Sequence, residues 1–401
     1  MEENIFNKFL QTPPLFINRE ALTISYIPEA ISHREKQIND LGRILASALK
    51  GGRPSNVFLY GRTGTGKTLV SRFVGSELER ISQSNGNKVK ILYVNCKMKK
   101  IADTEYRLLV ALSKELGKEV PFTGLPTDQV YHMFFESLES YNKTIIIIID
   151  EIDTLVQRTG DEILYNLTRV NQELKNSKIS IIGITNNLGF IESLDPRVKS
   201  SLSEEELIFP PYNALQLQDI LRTRSSLAFA PSSLEPGVIE KCAALAAQEH
   251  GDARRALDLL RVAGELAERN CEEKVLIKHV DMAQEKIDMD RVLETVKAQP
   301  KQSQIVLYTI IQLAEKSKEI QTGEVIDSYQ TVCIEHGLKP LTQRRVSDLI
   351  AELDLFGVIT TKVISKGRYG RTRVITLNLP DYVLKRLKNL LYEIFLWTTI
   401  M

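Results

Sequence analysis

The sequence predicts an α/β protein: a P-loop parallel sheet covered by helices, then a small helical domain, then an α+β winged-helix domain. Three observations carry that reading. Short β-rich runs alternate with helical stretches between residues 56 and 209, a phosphate-loop motif sits in the first alternation, and beyond residue 297 the order becomes helix, helix, helix, hairpin. The length of 401 residues suits such a division, because single cores stop growing at about 250 to 300 residues.

The β-rich runs are Asn56 to Tyr60, Val89 to Val94, Thr144 to Ile149, Ile179 to Ile184 and Glu206 to Phe209. The third and fourth are apolar without alternation, as strands buried on both faces are, so both are expected inside the sheet. After Pro210-Pro211 the pattern is helical only, from Leu215 to Glu285, with Leu257, Leu260 and Leu276 as expected core positions. The polar stretch from Lys297 to Ser303 carries Pro300 and reads as a linker. Beyond it, Ile305 to Lys316, Thr322 to Glu335 and Gln343 to Leu355 read as helices, with Val358 to Ile364 and Thr372 to Leu379 as strands. The expected domains are therefore 1–211, 212–297 and 298–401.

Composition narrows the class. With 43% hydrophobic and 26% charged residues the chain is ordinary for a globular protein and far from the signature of disorder. Lys plus Arg at 52 against Asp plus Glu at 51 leaves a charge of +1, so any nucleic-acid surface must be local. Cys96, Cys242, Cys271 and Cys333 are far apart, and the five histidines do not cluster with them. That spacing speaks against zinc and against a disulfide framework, and fits a reducing compartment. The start, Met1-Glu2-Glu3-Asn4, has no apolar signal core, and no apolar run nears the ~20 residues of a membrane span. A soluble, cytoplasmic protein without a membrane partner is expected.

Gly61-Arg62-Thr63-Gly64-Thr65-Gly66-Lys67-Thr68 matches G-x-x-x-x-G-K-[ST] between a strand and a helix, the context that motif requires. Its glycines let backbone N–H groups turn toward phosphates at a helix N-terminus. Lys67 is expected on the β- and γ-phosphates of ATP, or on the β-phosphate of ADP, and the Thr68 hydroxyl on Mg²⁺. The strand ending at Ile149 delivers Asp150 and Glu151 to the edge where ligands bind in such sheets. Asp150 suits the carboxylate that orients Mg²⁺, and Glu151 the base that polarises the attacking water. By itself an acidic pair after an apolar strand is as often a solvated terminus; beside a P-loop it reads as chemistry. Asn186, at the end of the Ile179 strand, could hold the same water or the γ-phosphate.

In the helix Gln343 to Leu355, Val346, Leu349, Ile350 and Leu353 share one face, leaving Arg344, Ser347, Asp348 and Ala351 outward. The segment that follows holds Lys362, Lys366, Arg368, Arg371 and Arg373 around Tyr369 with no acid. A basic turn is commonly just solvated, but behind such a helix it points to duplex DNA. Leu387 to Met401 is apolar and is expected to pack on this domain.

The P-loop, Asp150-Glu151, Thr185-Asn186 and Gly251-Asp-Ala-Arg-Arg-Ala256 together resemble the Walker A, Walker B, sensor 1 and sensor 2 motifs of the AAA+ fold. Their wording, with Tyr26-Ile-Pro-Glu-Ala-Ile-Ser-His-Arg-Glu35, is similar to the archaeal replication initiators of the origin-recognition-complex and cell-division-cycle type, over about residues 20 to 380. The resemblance implies an ATPase with Mg²⁺ that marks origin duplex DNA at the nucleoid, while slow hydrolysis is expected from this chain's departure from the family's arginine-finger pattern. It also implies helicase loading and paralogous initiator subunits as partners. It places Pro28, His33 and Arg34 beside the adenine and Arg254, from the helical lid, on the nucleotide. It puts a second DNA contact near Val120 to Leu125, giving Phe122, Thr123 and Gly124. Where relatives carry a Ser-Arg pair, this chain has Ser200-Ser201, which leaves Arg197 as the candidate arginine finger and Lys199 as the other cation. Two other functions remain open on the residues: a protein-remodelling or clamp-loader-type AAA+ ATPase, and a DNA-binding regulator for which ATP is only a ligand.

Overall fold

The structure, a computed structural model, describes residues 9–86, 89–97, 104–202, 204–317, 319–365, 371–377 and 379–396. The chain divides into two compact units, Met1–Val280 and Asp281–Met401.

In the first unit, β1 (Val57–Gly61), β2 (Lys90–Asn95), β3 (Thr144–Asp150), β4 (Lys178–Thr185) and β5 (Glu205–Phe209) form one sheet in the order β2-β3-β4-β1-β5. All its pairings are parallel. The two unalternating apolar runs are interior strands, as expected. Ile145, Ile147 and Ile149 enter one core and Ile146 and Ile148 the other, so each face of β3 is buried against its own layer. One layer includes α1 (Glu35–Leu45) and α2 (Lys67–Ser84). The opposite layer includes α3 (Glu105–Glu115), α4 (Thr127–Tyr141), α5 (Ile152–Thr159), α6 (Glu162–Arg169) and α7 (Pro196–Leu202). Register sets Asn95 opposite Asp150 and Tyr60 opposite Thr185, which gathers Gly61, Asp150 and Thr185 at the carboxyl edge.

A small helical bundle follows: α8 (Ala214–Ala228), α9 (Val238–Gln248), α10 (Ala253–Arg269) and the start of α11 (Ile277–Lys297). Asn213 starts α8 with a capping box shared with Gln216. Leu257 and Leu260 are buried as expected; Leu276 is only half-buried, and its neighbour Val275 takes the core position by pairing with Leu234. An N-terminal strap with no signature in the sequence completes the bundle. Phe16 bridges to Phe229 with stacked rings 4.5 Å apart, and Leu15 and Leu22 are buried with it, so residues 15–22 belong to the bundle.

In the second unit, α12 (Lys301–Ala314), α13 (Thr322–Glu335) and α14 (Gln343–Leu355) surround one core with β6 (Ile320–Gln321), β7 (Thr360–Ser365) and β8 (Arg371–Thr376). Pro300 is the N-cap of α12, so the stretch read as a linker is a tight join between two helices. Val346, Leu349, Ile350 and Leu353 are all buried, the face the spacing predicted. The expected hairpin β7–β8 is joined by β6 in a three-stranded antiparallel sheet. Leu387, Leu391 and Phe395 of α15 (Asp381–Leu396) close this core.

Candidate functional site

β1 ends in Gly61, and α2 starts at Lys67 with Gly66 as N-cap at φ 90°, so the loop between them lies on the carboxyl edge of the sheet. Gly64 stands at φ +70°, and a Cβ there would overlap the Asp252 carboxylate. The first turn of α10 therefore sits directly on the loop. Asp252 caps α10 through the N–H groups of Arg254 and Arg255, and Ala253 N–H donates to the Gly64 carbonyl at 3.2 Å.

Lys67 is 5% exposed, and its Nζ donates to the carbonyls of Gly61 at 2.7 Å and Arg62 at 2.8 Å and to Asn186 Oδ1 at 2.8 Å. Burial lowers its pKa to about 8 against the opposing pull of Asp150, with Arg254 lowering it further. Thr68 Oγ1 donates to Asp150 Oδ2 at 2.8 Å, and the Tyr93 hydroxyl donates to the same oxygen at 2.9 Å. Burial, then Asp150, pushes the Tyr93 phenol up to about 12, so it stays a donor. Asp150 Oδ1 accepts the Glu151 N–H at 3.0 Å, and Glu151 itself stands in the left-handed region at φ 56° as N-cap of α5. Thr185 Oγ1 donates to Asp153 Oδ1 at 2.9 Å and accepts the Asn187 N–H, which fixes the strand end carrying Asn186.

Beside this cluster opens a pocket lined by Thr23 to Pro28 and Ile31, by Gly64, Gly66 and Thr68 of the loop, and by Arg224, Arg254 and Leu257 of the helical bundle. Pro28 stands in its wall as expected. His33 and Arg34 do not line it. His33 Nε2 lies 3.1 Å from Asp219 Oδ2, while Arg34, 2% exposed, donates to the carbonyls of Thr65 at 2.9 Å and Pro210 at 2.6 Å. Its guanidinium rests 3.8 Å from the Tyr212 ring centroid. With its donors taken by carbonyls, Arg34 braces the loop against the Pro210 segment behind the site.

Arg254 lines the pocket, whereas Arg255 turns to Glu249 at 3.2 Å. Arg62 is exposed and reaches His250 Nδ1 at 3.1 Å; Thr63 is exposed; Thr65 is buried with its hydroxyl on the Arg62 carbonyl. Arg197 Nε and Nη2 both donate to Asp195 at 3.0 Å, and that contact holds the Asp195 carboxyl down at about 2. Tyr26 begins the segment that the resemblance places beside the adenine, whereas Arg72, Tyr93 and Arg224 carry no such signal in the sequence. Each of those three reaches the site through strand register or helix packing.

In the second unit Arg344 is exposed on α14. Ser347 is half-buried, and its carbonyl accepts from Arg373 Nη1 at 3.4 Å, tying β8 to that helix. Lys362 is exposed on β7. Lys366, Arg368 and Tyr369 lie outside the described residues, as does the Arg371 side chain, whose backbone begins β8. In the first unit Phe122, Thr123 and Gly124 form an exposed turn beside Pro121, whose carbonyl accepts from Tyr106 at 2.8 Å. No described helix is long and apolar enough to cross a membrane.

Three family models match: an AAA domain over residues 51–188, the Cdc6 AAA+ ATPase-type lid domain over 218–285, and the CDC6 C-terminal winged helix domain over 294–386. The chain is 50% identical to ORC1-type DNA replication protein 1 of Methanosarcina mazei over 406 residues, which covers 98% of this chain and 97% of that protein. It is 51% identical to the ORC1-type DNA replication protein of Pyrococcus abyssi over 397 residues, covering 98% and 94%. The solved structure of the Aeropyrum pernix ORC1 protein in complex with DNA shares 46% identity and a TM-score of 0.84, covering 96% of this chain and 98% of that one. Lys67, Thr68, Asp150 and Asn186 thus all fall within the matched AAA domain, and the chain belongs to the family of ORC1-type DNA replication proteins.

Proposed function

We propose that this chain is an ATP-dependent replication initiator that binds origin duplex DNA and helps recruit or load the replicative helicase, alongside paralogous initiator subunits. The observation that carries the reading is the joined Lys67, Thr68, Asp150 and Asn186 cluster, in a chain 46% identical along 96% of its length to an ORC1 protein solved with DNA. We assign 1–211 to the nucleotide-binding domain, 212–297 to the lid and 298–401 to the DNA-binding domain.

The P-loop amides of Gly61 to Thr68 would cradle the phosphates of ATP, with Lys67 moving its donors from loop carbonyls to phosphate oxygen. Thr68 Oγ1 and Asp150 Oδ2 are hard oxygen donors 2.8 Å apart, the kind Mg²⁺ takes. Bound there, Mg²⁺ supplies positive charge against the β- and γ-phosphates. Glu151 takes the proton side of the attacking water, and Asn186 holds the water or the γ-phosphate. Arg254 adds a lid cation drawn more strongly to ATP than to ADP. Arg197, paired with Asp195 on the surface, is the candidate to serve a neighbouring subunit, and with Ser200-Ser201 in place of a Ser-Arg pair hydrolysis would be slow. On DNA, α14 would bring Arg344 and Ser347 to the major groove, and Lys362, Lys366, Arg368, Tyr369, Arg371 and Arg373 would follow the backbone. Phe122, Thr123 and Gly124 make the second contact.

Fluorescence anisotropy of labelled duplex with the full chain, at several salt concentrations, tests the DNA half. Lys362→Ala should weaken binding to all sequences alike and lower the slope of log affinity against log salt by about 0.9, while Arg344→Ala should cost roughly 1 to 3 kcal/mol on the preferred site alone. No duplex binding at low salt would refute it and favour the protein-remodelling alternative.

A further inference from the structure

Among the described residues three donors reach the Asp150 carboxylate, and one of them comes from outside the P-loop and the Asp150-Glu151 pair. Thr68 Oγ1 at 2.8 Å and the Tyr93 hydroxyl at 2.9 Å share Oδ2, while the Glu151 N–H meets Oδ1 at 3.0 Å. Strand register explains the reach of Tyr93. Asn95 lies opposite Asp150 and Tyr93 opposite Ile148, so the tyrosine starts two residues, about 6.6 Å, back along β2 and spans that distance with its ring. The ring packs with Ile146, Ile148 and the α2 residues Val70 and Val74, and the Arg72 guanidinium carbon lies 5.2 Å from its centroid. A phenylalanine would fill the same space. What the tyrosine adds is one donor, and that donor goes to Asp150.

The three donors are not equivalent. Thr68 would also be a ligand, so its hold on Oδ2 changes when its oxygen turns to a cation. A phenol anchored by its ring has no such second role, and it keeps its proton well above neutral pH. The Glu151 amide fixes only Oδ1, and rotation about the last bond of an aspartate is soft. One point on each oxygen is needed to set the plane of the carboxylate.

We propose that Tyr93 is a positioning residue for the metal half of the nucleotide site: with the Glu151 amide it holds the plane of the Asp150 carboxylate, so that Thr68 can leave Oδ2 for Mg²⁺ without Asp150 turning away. Outer groups that orient a metal-binding side chain contribute about 10- to 100-fold in metal affinity. This rests on the reading of the cluster as an ATP and Mg²⁺ site.

Isothermal titration of the full chain with ATP, in EDTA and in saturating Mg²⁺, measures the gain in affinity that the metal brings. Tyr93→Phe keeps the ring and removes only the hydroxyl. Its ATP affinity in EDTA should equal that of wild type, while the gain from Mg²⁺ should shrink by about tenfold or more. The Mg²⁺ concentration for half-maximal single-turnover hydrolysis should rise by a similar factor, with the rate at saturating Mg²⁺ close to that of wild type. Tyr93→Leu also removes the ring, and should match Tyr93→Phe in the lost gain while melting earlier. An unchanged gain in Tyr93→Phe overturns the proposal, and so does a loss confined to Tyr93→Leu, which would assign the role to packing. An equal fall in ATP affinity with and without Mg²⁺ overturns it as well. Wild type whose ATP affinity is the same in EDTA and in Mg²⁺ would instead overturn the ATP and Mg²⁺ site itself.

Discussion

The Lys67 ammonium donates to Asn186 Oδ1 at 2.8 Å, joining the P-loop to the end of β4 across 119 residues of chain. The lysine that would meet the γ-phosphate is thus already positioned by the Asn186 side chain. Removing the amide should leave ATP binding nearly intact, since Lys67 keeps the Gly61 and Arg62 carbonyls as partners. The water or γ-phosphate would lose its orienting group, so Asn186→Ala is expected to slow single-turnover hydrolysis by roughly 10²-fold, the scale seen for one preorganised donor. An unchanged single-turnover rate would remove Asn186 from the catalytic set.

The Lys67 pKa, lowered to about 8, predicts a pH dependence of opposite sign for binding and for folding. In an unfolded chain a lysine holds its proton to about 10.4, so between pH 8 and 10 the unfolded state binds more protons and the nucleotide-free fold gains stability with rising pH. Phosphate needs the charged form, so ATP affinity should drop above pH 8, by up to about tenfold per unit. Titrations in buffers of different ionisation heat should show proton uptake on binding at pH 8.5, and Lys67→Arg should abolish both effects. Flat affinity from pH 7 to 9 would show that this lysine does not govern binding.

Neighbouring arginines on α10 have different partners. Arg254 lines the pocket and Arg255 pairs with Glu249. Arg254→Ala should narrow the affinity gap between ATP and ADP by about five- to 150-fold, the usual span of a coupling between sites, and should abolish nucleotide-dependent protection of the Pro210 hinge from protease. Arg255→Ala should change neither. The reverse pattern in the two variants would exchange their roles.

At Gly64 the helical bundle leaves no room for a side chain. Gly64→Ala places a methyl against Asp252 at φ +70°, so the first turn of α10 must lift from the loop. A loss of at least about 1 kcal/mol is expected from the backbone alone, with weaker ATP binding on top. Gly42→Ala, in α1 with open space around it, serves as the contrast and should stabilise by about 0.4 to 1 kcal/mol. Thermal melts with and without ATP read both. Equal melting temperatures for the two variants would show that the contact with α10 is dispensable.

What the sequence by itself determined were the features whose physics is local. A phosphate loop is eight consecutive residues, and the buried strands around Ile147 and Ile182 announce themselves because both faces are apolar. The face of α14 follows from helical spacing, so Val346, Leu349, Ile350 and Leu353 were legible in advance. Asp150 and Asn186 were legible because each follows directly on such a strand. Only the tertiary structure decided the rest. Arg34 was expected beside the base, yet its guanidinium is taken by the carbonyls of Thr65 and Pro210, 31 and 176 residues away. Tyr93 meets Asp150 only because β2 and β3 pair in one register out of several, and Arg224 meets Tyr26 only because α8 packs against a strap nearly two hundred residues earlier. Val275 rather than Leu276 is the more buried because the bridge to Leu234 sets the chain's phase there. Periodicity specifies which side of an element is apolar, but the partner of a polar side chain is chosen by packing between elements distant in the chain.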